Sequence, residues 1–111
     1  MYAHIVWFDQ PRTATELAAV DFARTHRIEP AVAAVPGLLD FYELRRADGS
    51  GMVIGIAETE EALHAVREAI LATELLPEED PALLPGPDRV EICPVLTHHD
   101  RAAIYAKAAV S

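Results

Sequence analysis

The stretch VPGLLDFYELRRADGSGMVIGIAETEEAL, residues 35–63, decides the fold class. Its Pro-Gly pair ends one element, because proline cannot continue a helix and glycine favours a turn. Residues 38–46 and 52–58 are rich in β-branched, aromatic and aliphatic side chains, and the turn sequence at 47–50 separates them, so they predict a β-hairpin. Thr59–Glu61 is typical of a helix start. The predicted order is helix, strand, turn, strand, helix.

The segment before this stretch predicts one strand and one helix. Residues 2–9, YAHIVWFD, indicate a buried strand. A T-x-x-E capping box begins at Thr13 and predicts a helix over about 14–28. Pro30 is expected to break or kink this helix, with a further turn over 31–35.

The segment after it predicts a second helix over about 60–75 and a last strand over 89–97. Between them, residues 77–89 carry four prolines and one glycine, so they predict a stiff loop, which is a plain connection, a lid or a crossing arm. Pro94 cannot donate a ladder hydrogen bond, which predicts an edge strand or a bulge. Residues 102–110 could form a short tail helix.

Together these elements predict an α+β fold of the ferredoxin-like βαββαβ type with a four-stranded antiparallel sheet. We expect one domain over residues 1–99 and a tail over 100–111. Half of the side chains are hydrophobic, which suffices for a packed core in 111 residues. Both faces of the sheet carry apolar side chains, and the chain supplies only two long helices.

Charge and composition exclude several classes of partner. The net charge is −9 and Lys107 is the only lysine, so a nucleic-acid partner is not expected. No apolar run approaches the roughly 20 residues that span a bilayer, so no membrane partner is expected. The absence of a basic leader and the single Cys93 favour a cytoplasmic location.

The order of elements around the Pro-Gly pair resembles the small dimeric α+β barrel proteins. Their best-known branch is the antibiotic-biosynthesis monooxygenases, and heme-degrading monooxygenases, cyclases and isomerases form neighbouring branches. The resemblance covers roughly residues 1–97. It implies a homodimer whose two sheets pair face to face, with a pocket for an apolar aromatic or polyketide-like small molecule. It also implies a cofactor-free conversion, and a non-catalytic binding or accessory protein on the same fold is the alternative.

Several positions depart from what the resemblance implies. Ala57 stands where the oxygenase branch has a tryptophan, Val53 where it can have an asparagine, and Leu63 where it has a helix tyrosine. Thr73 stands near the proximal histidine of the heme-degrading branch. We therefore expect no specific heme binding and no other cofactor. His98-His99-Asp100 is not expected to bind a metal, because neighbours in extended chain point opposite ways.

Side-chain alternation gives the expected pocket wall. One face of the second hairpin strand forms the pocket floor and the other packs on the helices; these faces are Val53, Gly55 and Ala57, and Met52, Ile54 and Ile56. His4 shares its face of the first strand with Val6 and Phe8, and the resemblance places Val6 at an inward position. We take His4 as the candidate general base, since its ordinary pKa lies near neutrality. The alternative for His4 is a structural role at a strand end or a dimer contact.

The other candidate groups depend on the hairpin register. If the strands pair from Arg46, Asp40 and Tyr42 point into the pocket, where they would orient or polarise the substrate. A register shifted by one residue presents Phe41 and Glu43 instead. If His4 is structural, Glu43 or Glu91 becomes the candidate catalytic group.

Overall fold

The computed structural model describes residues 1–102 and 104. Its helices and strands are β1 (Tyr2–Phe8), α1 (Ala14–Ala23), α2 (Glu29–Ala33), β2 (Leu38–Arg45), β3 (Gly51–Ala57), α3 (Glu60–Leu71) and β4 (Arg89–Pro94). A π-helical turn, Arg24–Ile28, joins α1 to α2, and a 3₁₀ turn, Pro81–Leu83, lies in the loop before β4. The predicted ferredoxin-like βαββαβ order is confirmed. Most of the predicted tail helix, residues 102–110, lies outside the described residues.

The four strands form one antiparallel sheet in the order β2-β3-β1-β4. The two central strands, β1 and β3, are the first strands of the two βαβ halves of the chain, as in the split ferredoxin-like unit. Pro94 lies in the edge strand β4, where its missing N–H leaves no ladder bond unmade, as predicted.

The hairpin pairs one residue away from the register that the sequence suggested. Arg45, not Arg46, lies opposite Gly51, and a bulge between Leu38 and Asp40 absorbs the extra residue. Gly51 is required there, because a Cβ atom at this position would clash with the Leu44 carbonyl oxygen. This register reverses the facing of every side chain on β2 between the turn and the bulge.

The helices before β2 and the helix α3 all cover one face of the sheet, the face that carries Tyr2 and His4 on β1. Ala57 and Leu63 are fully buried between the sheet and α3, and Tyr2 and Ile92 pack against them. Strand alternation places Met52, Ile54 and Ile56 on the opposite face. The prediction that these three pack on the helices is therefore wrong, because the pocket and the helices lie on the same side of the sheet.

Both long helices begin at capping residues that the sequence identifies. The Thr13 hydroxyl accepts the Glu16 N–H at 3.1 Å, and the Glu16 carboxylate accepts the Thr13 N–H at 3.0 Å. Thr59 accepts the Ala62 N–H at 3.2 Å at the start of α3. The capping box and the Thr59 N-cap are confirmed. None of the described helices is long and apolar enough to cross a bilayer.

Pro30 changes the hydrogen-bonding register of the first helix without ending it. The preceding turn widens, so that the Glu29 N–H donates to the Arg24 carbonyl, five residues back. Proline lacks an N–H and its ring crowds the carbonyl four residues earlier, and a π turn accommodates both effects. The chain then continues helically to Ala33. Arg24 and Arg27 of this turn both reach the space between helix and sheet.

Candidate functional site

A cavity of about 650 Å³ lies between the helix-covered face of the sheet and the helices. Most of its wall is apolar and comes from every layer of the fold; the main contributors are Val6, Phe8, Phe41 and Val53 from the sheet, and Val20, Ile28, Val66 and Ile70 from the helices. Residues 84–87 of the proline-rich loop, LPGP, line a further part. The predicted floor residue Val53 lines the cavity, whereas Ala57 belongs to the buried cluster beside it.

The imidazole ring of His4 forms part of the cavity wall. It is half-buried and pairs with both Gly55 and Ile92, so it lies inside the sheet and not at a frayed strand end. Within residues 1–102 and 104, no hydrogen bond or ion pair engages its ring. Burial lowers the pKa of His4, and the positive charge of Arg67 and then His64 lower it further. The ring is therefore neutral at pH 7 and free to accept a proton.

Asp40 and Tyr42 do not join His4 in the cavity. In the observed register Phe41 lies opposite Gly55, the partner of His4, so Asp40 and Tyr42 point to the other face. Tyr42 is 51% exposed there. The expectation that these two side chains point into the pocket is wrong, and the one-residue register shift is the reason. Glu91 lies opposite Ile5 and also faces away from the cavity.

Glu43 is the carboxylate that lines the cavity, as the shifted register predicts. Its Oε2 lies 3.0 Å from Arg24 Nε, and Arg24 Nη1 also contacts Asp21 Oδ1 at 2.8 Å. Arg45 holds the same Asp21 oxygen at 2.6 Å from Nη2. This network ties α1 to β2 at the hairpin end of the cavity. Glu43 lies on another element from Arg24, so no local sequence pattern indicated this contact.

Arg27 forms a second, more buried ion pair. Its Nε and Nη2 donate to Glu79 Oε2 and Oε1 at 2.7 and 3.0 Å, and Nη1 donates to Thr73 Oγ1 at 2.8 Å. The Glu79 side chain is only 1% exposed, and its carboxylate also accepts the Leu76 N–H. Thr73 Oγ1 in turn donates to the Ile70 carbonyl at 2.6 Å. The pair joins the π turn to the segment after α3, and no sequence pattern indicated it.

Two further cavity-lining arginines have no carboxylate partner in the described part of the chain. Arg12 and Arg67 line the cavity, and among the described residues no acidic oxygen lies within ion-pair distance of either. Arg12 lies over the Phe8 ring, with 4.4 Å from its guanidinium carbon to the ring centroid. The cavity of an acidic protein thus carries an excess of positive charge.

The opposite face of the sheet is apolar and lacks a covering layer among the described residues. Ile5 and Trp7 on β1 lie beside Ile54 and Met52 on β3. At its edge Tyr42 is half-exposed, and Arg89 stacks on Trp7 with its guanidinium carbon 3.9 Å from the ring centroid. An uncovered apolar sheet face of this kind is characteristic of an interaction surface.

Comparison with known proteins gives no sequence-level match: no protein-family model matches the chain, and no curated protein does. Solved structures do match. An MhuD variant with two manganese protoporphyrin IX molecules bound per active site is similar with a TM-score of 0.63 at 20% identity, over 90% of this chain and 99% of that one. A putative antibiotic biosynthesis monooxygenase from Nitrosomonas europaea gives 0.61 at 18% identity, over 87% and 100%.

A third similar structure is the ActVA-Orf6 monooxygenase of Streptomyces coelicolor in complex with nanaomycin D. It has a TM-score of 0.56 at 23% identity and covers 88% of this chain and 89% of that one. At these identities the likeness establishes the fold. The predicted resemblance to the antibiotic-biosynthesis-monooxygenase-like α+β barrel is confirmed at that level.

Proposed function

We propose that this chain forms a homodimeric α+β barrel that binds an apolar, aromatic or polyketide-like small molecule and converts it without a cofactor. His4 is the general base. The observation that carries this proposal is a neutral imidazole, with no partner among the described residues, in the wall of a largely apolar cavity. Bound small molecules in two of the similar structures, nanaomycin D and manganese protoporphyrin IX, support a ligand-binding role for this fold.

The chemistry that these residues support begins with a proton transfer. His4 accepts a proton from an acidic O–H or C–H of the ligand, and the apolar wall keeps water from competing for it. Arg67, whose charge acts on His4, stabilises the oxyanion or enolate that results. The anion then isomerises, cyclises, or reduces O₂. In an oxygenation a CH₂ group becomes a carbonyl, the substrate supplies four electrons, and the second oxygen atom leaves as water.

The alternative is a non-catalytic binding or accessory protein. One observation favours it: no described residue hydrogen-bonds the His4 ring to fix its orientation, as a partner usually does for a catalytic histidine. A panel of phenols and quinols separates the two functions. Oxygen uptake or product formation without added metal or cofactor supports the enzyme, whereas saturable binding of the same compounds without turnover supports the accessory protein.

The uncovered sheet face predicts a dimer in solution. Size exclusion coupled to light scattering should give twice the chain mass of 12.1 kDa, because pairing two sheets buries the apolar side chains that the lone chain exposes. Tyr42→Asp should weaken the dimer by placing a charge beside Asp40 on this face. Leu75→Asp, at a comparably exposed leucine after α3, should leave the mass unchanged. A monomeric wild type at micromolar concentration would contradict the barrel.

Heme is expected not to bind at a single stoichiometric site. Thr73 cannot replace an axial histidine, since its hydroxyl is already engaged by Arg27 and by the Ile70 carbonyl. A titration followed at the Soret band should therefore show only weak, non-saturating changes. A sharp shift that saturates at one heme per chain and disappears in His4→Ala or in His64→Ala would refute this expectation.

A further inference from the structure

We propose that the ligand of the cavity is an anion, and that Arg12 binds its carboxylate or a comparably acidic group. This inference rests on the proposed function, because it specifies the substrate class of the same site. It begins from the unequal pairing of the arginines that line the cavity. Arg24, Arg27 and Arg45 are neutralised by carboxylates, whereas Arg12 and Arg67 form no ion pair within residues 1–102 and 104.

Arg12 is held in place by the fold. Its backbone N–H donates to the Asp48 carbonyl at 3.0 Å, which fixes the residue against the β2–β3 turn. Gly49 makes this approach possible: it has a φ of +87°, and a Cβ atom there would lie 2.8 Å from the Arg12 carbonyl oxygen. The guanidinium then rests on the Phe8 ring, on the cavity side of the sheet.

The carboxylates that act on Arg12 are bound elsewhere. Glu16 accepts the Thr13 N–H, Asp88 accepts the Asp9 N–H at 2.7 Å, and Glu43 pairs with Arg24. None of them reaches Arg12 within ion-pair distance in the described structure. The guanidinium donors of Arg12 are therefore available to a planar anion, which an arginine fork matches well.

The spacing of residues along β1 gives the length of the ligand that fits. His4 and Phe8 lie on one face of β1 and are four residues apart, which corresponds to about 13 Å at a rise of ~3.3 Å per residue. A ligand that reaches both His4 and the guanidinium above Phe8 must span a similar length. The wall between them is Val6 with its neighbour Val53. The fitting class is an elongated, ring-bearing acid with its reactive carbon far from its anionic group.

A matched pair of probes tests the proposal: anthraquinone-2-carboxylate and the neutral anthraquinone-2-carboxamide, with binding followed by calorimetry. The wild type should bind the acid about 10-fold or more tightly than the amide, the usual worth of a hydrogen-bonded ion pair. Arg12→Gln should remove that preference while keeping the affinity for the amide. Arg12→Lys should retain part of it, and Arg46→Gln, at an exposed hairpin arginine outside the cavity, should retain all of it.

The outcomes separate this inference from the proposed function. Equal affinity for acid and amide in the wild type, or a preference that survives Arg12→Gln, overturns the anion site even if His4-dependent turnover is found. Loss of the preference in Arg12→Gln supports the site even if no turnover is found. Failure of both probes to bind the wild type at millimolar concentration also overturns the inference.

Discussion

His4→Ala is expected to lower kcat roughly 10²-fold or more on any phenol or quinol that the protein turns over, the range for removal of a general base. The ring is the only imidazole among the described residues that line the cavity, so no neighbour replaces it. The melting temperature should change little, since the side chain is only half-buried and makes no hydrogen bond whose loss would strand a partner. Steady-state kinetics and thermal unfolding measure the two effects.

The pH dependence gives His4 a signature that a structural histidine lacks. Because burial and Arg67 lower its pKa below the ordinary 6.5, the rate should rise with pH to a plateau, with the midpoint of the rise below that value. The effect on stability has the same sign: the unfolded chain binds the proton more readily, so stability falls as pH drops below 6.5 toward the folded pKa. Arg67→Gln should move the kinetic midpoint upward.

Two control variants accompany the His4→Ala experiment. His64→Ala removes an exposed histidine on α3 that lies outside the cavity wall, and it should keep the wild-type rate on the high-pH plateau, where His4 is neutral in both proteins. His4→Phe restores the ring volume without the base, and it should be as slow as His4→Ala. Full turnover in His4→Ala, or an unfolded dimer, would make the histidine structural and move the search for a base to Glu43.

The element order could be predicted because its signals are local. The Thr13 capping box, the Pro-Gly stop at Pro36, the hairpin turn and the Thr59 cap each act within four residues. Pro30 was harder, since a proline in a helix can be accommodated by a break, a kink or a π turn, and its local sequence does not distinguish them. The fold class therefore followed from the sequence, while the shape of the first helix did not.

The facing of the site residues could not be predicted because both faces of the sheet are apolar. Gly51 belongs to β3 and not to the turn, and this one-residue difference changes the pairing of the hairpin. In the observed register Phe41 and Glu43 face the cavity in place of Tyr42 and Asp40. The alternation of apolar and polar side chains normally identifies the buried face of a strand. Here apolar side chains lie on both faces, as Val53 and Ile54 show, so the alternation does not distinguish them. The error does not affect His4, since its facing was inferred from the inward position that the resemblance gives Val6 and not from the hairpin register.

The ion pairs between elements could not be predicted from the sequence because they join residues that are distant along the chain. Arg27 and Glu79 are 52 residues apart, and each alone is an ordinary surface residue type. Only the fold brings the π turn against the segment after α3. The same holds for the unpaired Arg12, which is unusual only because its nearby carboxylates are engaged by other groups.

Glu79→Gln is expected to destabilise the fold by roughly 3–5 kcal/mol, because it leaves the Arg27 guanidinium buried without its counter-charge. The adjacent Glu78→Gln is the matched control: Glu78 is exposed and forms no ion pair within the described residues, so its loss should stay within about 0.5 kcal/mol. Urea unfolding at neutral pH measures both.

The pH dependence of the unfolding free energy gives a second measurement on the ion pair between Arg27 and Glu79. The hydrogen bond from Arg27 lowers the pKa of Glu79 below its ordinary 4.5, so the pair stabilises the fold above that pH and ceases to do so as pH falls through the lower, folded value. The difference in unfolding free energy between wild type and Glu79→Gln should therefore shrink on acidification from pH 5 toward pH 3.

A difference that stays constant across this range, or Glu79→Gln and Glu78→Gln losing equal stability, would show that the pair does not hold the π turn to the segment after α3. A smaller loss in the double variant Arg27→Met with Glu79→Leu than in Glu79→Gln would place the cost in the unpaired charge, since apolar groups can replace a buried ion pair at little cost.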